Sequence, residues 1–401
     1  MKERKAVTRE IVRRYRRANR RIKTKILDEF IQTTGLNRKY AIQLLKGTLR
    51  MRVRCVATGG PRGRPRLYDP GVLTKLRWLW ALFGFMCGKR LVPAIRVNLV
   101  VLEKFHELKG LSAQTRELLL RLSPATVDRL LASERKKLRL KGRSHTRPGS
   151  LRRSLIPIRT FGSEHQKEPG YIEVDLVGHD GGSSRGEFAQ TLTLTDVATG
   201  WTELRAVRNK AQKWVFPALK FLVSLLPFAL KGMNTDNGGE FININVAAWC
   251  QMFHVAFSRS RPYRKNDNPY VEQKNNAVVR TAVGYWRYDA PGELQLLNQI
   301  YAQLRLLTNF FYPSMKLQES VRVGARWRKR YDVPTTPYQR VLDSSHIDEA
   351  TKEKLRAQFA TLNPAAITRR LATLQSQLVK RARLKQQVLE DDRRLTMAAA
   401  G

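Results

Sequence analysis

The stretch Tyr171-Ile-Glu-Val-Asp-Leu-Val177 constrains the fold more than any other feature of this 401-residue chain. Bulky and β-branched residues alternate there as in a half-buried strand, yet carboxylates stand at Glu173 and Asp175. Side chains two apart on a strand share a face, so both acids point away from the face of Ile172. Burying an unpaired carboxylate is costly, and a partner charge or a metal ion is the usual compensation. The strand holds no Lys or Arg, so that compensation comes from elsewhere in the chain. Downstream, the pattern predicts strands over 187–196 and 201–207, the second after the Ala198-Thr-Gly turn. A helix over 211–226 follows, kinked at Pro217. A strand over 229–234, a helix over 243–253 and a strand over 254–258 complete a mixed α/β order.

Two further acids stand in distinctive settings. Asp236 follows a short apolar run and precedes Asn237-Gly-Gly, a cluster that ends strands and lets backbone approach a ligand. Glu272 follows the basic loop Arg261-Pro-Tyr-Arg-Lys-Asn-Asp-Asn268, with Asn268 as helix cap and Pro269 at the first helical position. Its carboxylate would then sit in the first turn, facing the strand ends. Carboxylates are hard oxygen ligands suited to Mg²⁺ or Mn²⁺. Two such ions, about 3.5–4 Å apart, can clamp the attacking and leaving oxygens of an in-line phosphoryl displacement. Taken singly, any of the chain's 33 acids is more simply a solvated surface residue or a cap. Glu173 is the strongest rival ligand, ahead of Glu240, Asp196 at a turn, and Asp267 as a cap.

The strand Asp175, the Thr235-Asp-Asn-Gly-x-Glu-Phe241 stretch and Glu272 after a 35-residue gap together resemble a known signature. It is the aspartate-aspartate-glutamate pattern of bacterial insertion-sequence transposases that share their catalytic core with retroviral integrases. The resemblance covers roughly residues 165 to 290. It implies an RNase H-like fold, a mixed five-stranded sheet with flanking helices. It also implies Asp175, Asp236 and Glu272 as catalytic residues and ligands of two Mg²⁺ or Mn²⁺ ions. Many relatives place Lys or Arg seven residues after the catalytic Glu; here that position is Val279, leaving Lys274 or Arg280 as the candidate DNA contact.

Charge supports a polyanionic partner. There are 75 basic and 33 acidic residues, a formal net charge of +42, and so large an excess disfavours compaction unless it is neutralised. Nucleic acid is the partner this predicts, and the resemblance implies that it is double-stranded DNA. No apolar run reaches the roughly 18–20 residues that span a bilayer, and Met1-Lys-Glu-Arg-Lys-Ala lacks an apolar signal region. The expectation is a cytoplasmic, nucleoid-associated protein. The three cysteines and six histidines are scattered without metal-module spacing, as in a reducing compartment.

Four regions are predicted: 1–60, 61–153, 160–290 and 291–401. The first is read as an all-α helix-turn-helix module. Ile26, Leu27, Phe30 and Ile31 form one apolar stripe, Thr34-Gly35 ends that helix, and Asn37 caps another carrying Ala41, Leu44 and Leu45 inward. Arg38, Lys39, Tyr40 and Gln43 would face DNA, although such hairpins also occur in proteins that never touch it. The second region opens on Pro61-Arg-Gly-Arg-Pro-Arg66, either an AT-hook, with Arg64 and Arg66 entering a minor groove, or a basic linker. Helices capped at Asp69 and Ser123 follow. Between Lys136 and Arg153 lie eight basic residues and no acid, a cationic linker. Arg261 and Lys265, in the loop before Glu272, are further candidate DNA contacts.

The last region follows the core. It opens with a periodic helix over 294–311, then a basic, aromatic stretch over 322–331 suited to a small β module, then helices over 347–360 and 364–390. Ile367, Leu371, Leu374 and Leu378 form a seam that Arg381 is expected to break. The predicted activity is metal-dependent hydrolysis at element ends, then transfer of the freed 3′-OH into target DNA by a homo-oligomer. A metal-dependent RNase H-like nuclease that cuts without joining, and a DNA-binding regulator with an inert core, are the alternatives.

Overall fold

The computed structural model describes residues 2–47, 67–137, 168–235, 244–259, 269–323 and 326–399. The chain divides into two compact units, Met1–Leu67 and Tyr68–Gly401.

The first unit is built from α1 (Lys2–Arg17), α2 (Arg20–Thr34) and α3 (Arg38–Lys46). Asn19 and Asn37 each accept a backbone N–H of the helix they precede, at 3.0 Å from Ile22 and from Lys39. Gly35 closes α2 at φ 66, a left-handed turn that glycine adopts without Cβ strain. Tyr15, Ile26, Leu27, Phe30, Ala41 and Leu45 form its core, with Ile31 and Leu44 half-buried against it. The side chains of Arg38, Lys39, Tyr40 and Gln43 are exposed, and Arg38 pairs with Asp28.

In the second unit the sheet is formed by β1 (Tyr171–Gly178), β2 (Gln190–Asp196), β3 (Thr202–Val207), β4 (Gly232–Thr235) and β5 (Ala256–Arg259). The strand order is β3-β2-β1-β4-β5. β1 pairs antiparallel with β2 and parallel with β4, while β2–β3 is antiparallel and β4–β5 parallel. This is the expected RNase H-like α/β sheet. The last two strands begin two or more residues later than predicted. Lys231 N–H is bound to Gly170 O instead of to a strand partner, and His254, at φ 53, turns the chain out of the preceding helix.

One face of the sheet is apolar. Ile172, Val174, Leu192, Leu194 and Met233 pack with Val215, Leu219 and Leu222 of α9 (Gln212–Ser224) and with Val246 and Cys250 of α10 (Ile244–Met252). Helix α9 runs through Pro217. The opposite face carries Glu173, Thr191, Thr193, Thr195 and Asn234, all buried. Toward it lie α11 (Pro269–Lys274), a π-helical turn (Asn275–Arg280) and α12 (Thr281–Val283), then α13 (Pro291–Leu306) and a second π turn (Leu307–Phe311).

β3 is an edge strand, whose unpaired backbone groups need partners. Two amides supply them. Asn298 of α13 accepts Ala206 N–H at 2.9 Å and donates to Ala206 O at 3.1 Å. Asn309 does the same for Thr202, at 2.8 and 2.9 Å. Nearby, Arg305 makes a bidentate ion pair with the buried Glu203, at 2.5 and 2.6 Å.

The helices before and after the sheet share one continuous apolar core, from Val72 and Leu91 through Trp201 and Tyr301 to Leu378. α4 (Pro70–Leu82) starts as expected, Asp69 accepting Val72 N–H at 2.8 Å. α5 (Gly88–Lys104) and α6 (Ala113–Leu120) follow, and Ser123 caps α7 (Pro124–Leu130) before α8 (Ala132–Lys137). The basic stretch over 322–331 forms a hairpin of β6 (Leu317–Val323) and β7 (Arg326–Tyr331). After α14 (Pro337–Asp343) and α15 (Glu349–Thr361), α16 runs from Pro364 to Ala399. Arg381 is exposed where the seam would next turn inward, as expected, and the buried stripe steps by one residue to Ala382. Lys385 then binds Glu293 at 2.9 Å and Asp289 at 2.7 Å, tying α16 to the start of α13.

Candidate functional site

The site begins with the two acids of β1. Glu173 is buried, and its Oε2 accepts the backbone N–H groups of Tyr270 and Val271, each at 2.9 Å. These are free donors of the first turn of α11, so the carboxyl group caps that helix. Burial pushes the Glu173 carboxyl up to about 8; the two N–H bonds oppose the shift, and the nearby Glu272 and Asp175 carboxylates add to it. The rival ligand therefore serves another purpose, seating the Glu272 helix against β1.

Asp175 is half-buried and stands opposite Thr193 in the β1–β2 register. Its Oδ1 accepts its neighbour's N–H, from Leu176, at 2.8 Å, and its Oδ2 accepts Asn275 Nδ2 at 2.6 Å. Glu272 lies in the first turn of α11 with its side chain exposed. Both carboxylates disfavour ionisation of Glu173, and Asn275, one turn beyond Glu272, links its helix to Asp175. Asp236, Arg261, Lys265, Arg64, Arg66, Asn268, Glu240 and Asp267 lie outside the described residues.

Asn275 is not among the residues to which the sequence points. Its signal is spacing: three residues beyond Glu272 places it near the same helix face. The π turn that begins at Asn275 lets the helix satisfy two demands at once, Asn275 reaching Asp175 and Arg280 reaching the end of β1. Single π turns recur where side chains are re-aimed at functional sites.

Arg280 differs from expectation. Its side chain is buried, donating to Gly178 O at 2.7 Å, with Val279 buried beside it. A guanidinium held there ties the helix to the strand and is turned away from solvent. Lys274 is half-buried, and burial, with Arg90 and Arg340 nearby, pulls its ammonium down to about 7. His179 is fully buried between Thr191, at 2.7 Å, and the ring of Tyr288, and burial holds it neutral, down to about 3. Asp196 proves a turn-holder, accepting Gly170 N–H at 2.8 Å and both donors of Thr199 at 2.7 and 2.6 Å.

The donor set suits a hard divalent cation. Asp175 and Glu272 offer carboxylate oxygens, and Asn275 Oδ1 and Thr193 Oγ1 are buried oxygens with no protein partner. Among the described residues no group of three or more His, Cys, Asp or Glu side chains is gathered to hold a metal. No described helix is long and apolar enough to cross a membrane.

A family model for the integrase core domain matches residues 165–265, the whole of the five-stranded sheet, and ends before Glu272. Among solved structures, the catalytic core domain of BIV integrase is similar at 14% identity and a TM-score of 0.30, over 44% of this chain and 96% of that one. The uncharacterized protein y4rM of Sinorhizobium fredii is 43% identical over 330 residues, spanning 82% of this chain and 92% of that protein. With that identity over nearly the whole relative, and with an integrase core match across its sheet, the chain belongs to the same family as y4rM and carries an integrase-like core.

Proposed function

We propose that the chain is a DNA transposase or integrase, which hydrolyses a phosphodiester at an element end and transfers the freed 3′-OH to a target strand. The observation that carries this reading is the docking of the Glu272 helix on β1, through the Glu173 cap at its start and the hydrogen bond from Asn275 to Asp175. Asp236, at the exit of β4 in sequence, is assigned as the third carboxylate. Asp175, Asp236 and Glu272 would hold two Mg²⁺ or Mn²⁺ ions, which supply charge neutralisation at the reacting phosphate. Asn275 orients the Asp175 carboxylate by donating to Oδ2, and Glu173 fixes the distance of Glu272 from the sheet through the helix start. Transesterification conserves bond energy, so the chain needs no nucleotide-hydrolysing loop, and its sequence contains no Gly-x-x-x-x-Gly-Lys-Ser/Thr.

DNA is the polyanion that the +42 net charge would neutralise. The exposed Arg38, Lys39, Tyr40 and Gln43 of α3 are proposed to enter a groove, and Arg64, Arg66, Arg261 and Lys265 to contact backbone. Joining two element ends calls for more than one copy, so a homo-oligomer is the proposed working form. The test uses purified chain, candidate element ends, Mg²⁺ and a plasmid, scoring cut and joined products. Asp236→Asn should keep DNA binding and lose both products; full activity in that variant would refute the assignment. A pre-nicked end supplied with the plasmid separates joining from cutting alone.

A further inference from the structure

Beside the catalytic helix lies a cavity of about 580 Å³, walled by the end of α4 and the loop after it, by α11 and the following π turn, and by α16. Its lining is mostly apolar, which suits a small organic group rather than a bare ion. Three residues at its wall bear on what it could hold. Phe85 sits at φ 56, a region bulky residues rarely adopt, and its ring is 48% exposed. The ring is held edge-on against Trp80 at 5.1 Å, so its orientation is fixed. Lys274 and Arg90 also line the cavity, both half-buried, and Arg90 is held in place by donating its Nε–H to Pro313 O at 2.5 Å. An aromatic wall held in place and a pair of half-buried cations match a planar base joined to a phosphate.

We propose that this cavity receives one unpaired nucleotide of the DNA substrate, its base against Phe85 and its phosphate between Lys274 and Arg90. The proposal rests on the reading of the chain as a DNA-acting enzyme and adds where a strand opened near the cut is held. Lys274 lies two residues from Glu272 on the same helix and so on its other side, and a nucleotide seated there would anchor the strand across the helix from the carboxylates. The wall is part of the larger unit's own core: Phe83, Leu304 and Leu371 line the cavity and are buried. The recess is therefore formed before any ligand arrives.

The test compares two short duplexes of one sequence, fully paired or with a single unpaired adenosine. Binding of the full chain is followed by fluorescence anisotropy in EDTA, which prevents cutting. The unpaired duplex should bind about tenfold more tightly, the scale of one base stacked on an aromatic ring. Phe85→Gly removes the ring and suits the positive φ, so the fold should survive. That variant should bind the paired duplex as before and lose the preference. Lys274→Gln should reduce the preference without abolishing paired binding. Equal binding of both duplexes, or a preference unchanged by Phe85→Gly, overturns the pocket and leaves the DNA reading standing. Failure to bind either duplex overturns both.

Discussion

The two faces of the sheet are equally buried and differ in what burial demands of them. On one, Ile172, Val174, Leu192, Leu194 and Met233 meet α9 and α10, and any well-shaped apolar surface would serve. On the other, Glu173, Thr191, Thr193, Thr195 and Asn234 bury polar atoms that call for directed partners, and Thr193 Oγ1 has none within the protein. Thr191 finds His179 and Tyr301, at 2.7 and 2.6 Å, and Glu173 finds the start of α11. The apolar face holds the molecule together without specifying an atom's position to better than a rotamer. The polar face positions atoms, and it is there that Glu173 and Asp175 meet α11 and the turn after it.

The largest effect that would sharpen this contrast is Asp175→Asn. It should reduce Mg²⁺-dependent strand cleavage by on the order of a thousandfold, because a carboxylate ligand at the reacting centre is lost. Urea unfolding should be little changed, since the amide oxygen can still accept from Leu176 N–H while its NH₂ donates to a flipped Asn275, whose Oδ1 has no other partner; a variant that cleaves normally would show that the polar face does not carry the chemistry. Leu194→Ala on the opposite face should do the reverse. A buried leucine cut to alanine costs about 2–5 kcal/mol, seen as a lower urea midpoint, with cleavage per folded molecule preserved.

A third test uses pH. His179 is neutral in the fold, held down to about 3 against an ordinary 6.5. The unfolded chain therefore binds the extra proton first as the pH falls. Stability should be full above about 6.5 and decline below it, by about 1.4 kcal/mol per pH unit from this group until about 3. His179→Gln cannot titrate and should have a flatter profile in urea titrations between pH 7 and 5; an unchanged slope would remove His179 from the polar network. The smallest expected effect is that of Asn275→Ala. Losing one hydrogen bond to Asp175 is worth about 1 kcal/mol, a fall of about fivefold in cleavage turnover with DNA affinity unchanged. A drop as large as that of Asp175→Asn would make Asn275 a direct participant.

Much of the site is legible in the sequence because its signals are local. A charged strand and a Glu in a proline-started helix are short patterns, and α11 begins at Pro269 as expected, while the strand-end Asp236 lies outside the described residues. The helix caps at Asn37, Asp69 and Ser123 are legible for the same reason. Arg280 and Glu173 are not. A side chain's charge is written in the sequence, whereas its direction depends on the helix's register, and here a π turn shifts it. Along α16 the heptad seam ends at the exposed Arg381, as expected, and Ala382, four residues after Leu378, takes the inward position because a straight helix turns about every 3.6 residues.

By itself the order of residues determined the class of the sheet, the helical character of both flanks, and which acids could serve as hard ligands. Alternation, capping and residue chemistry act over a few positions, so neighbours suffice to read them. Only the tertiary structure decided that Glu173 caps a helix nearly a hundred residues away, that Asn298 and Asn309 complete the edge of β3, and that Asn275 holds Asp175. Those pairings depend on which surfaces meet when the apolar cores close, and long-range contact of that kind leaves no trace in local spacing.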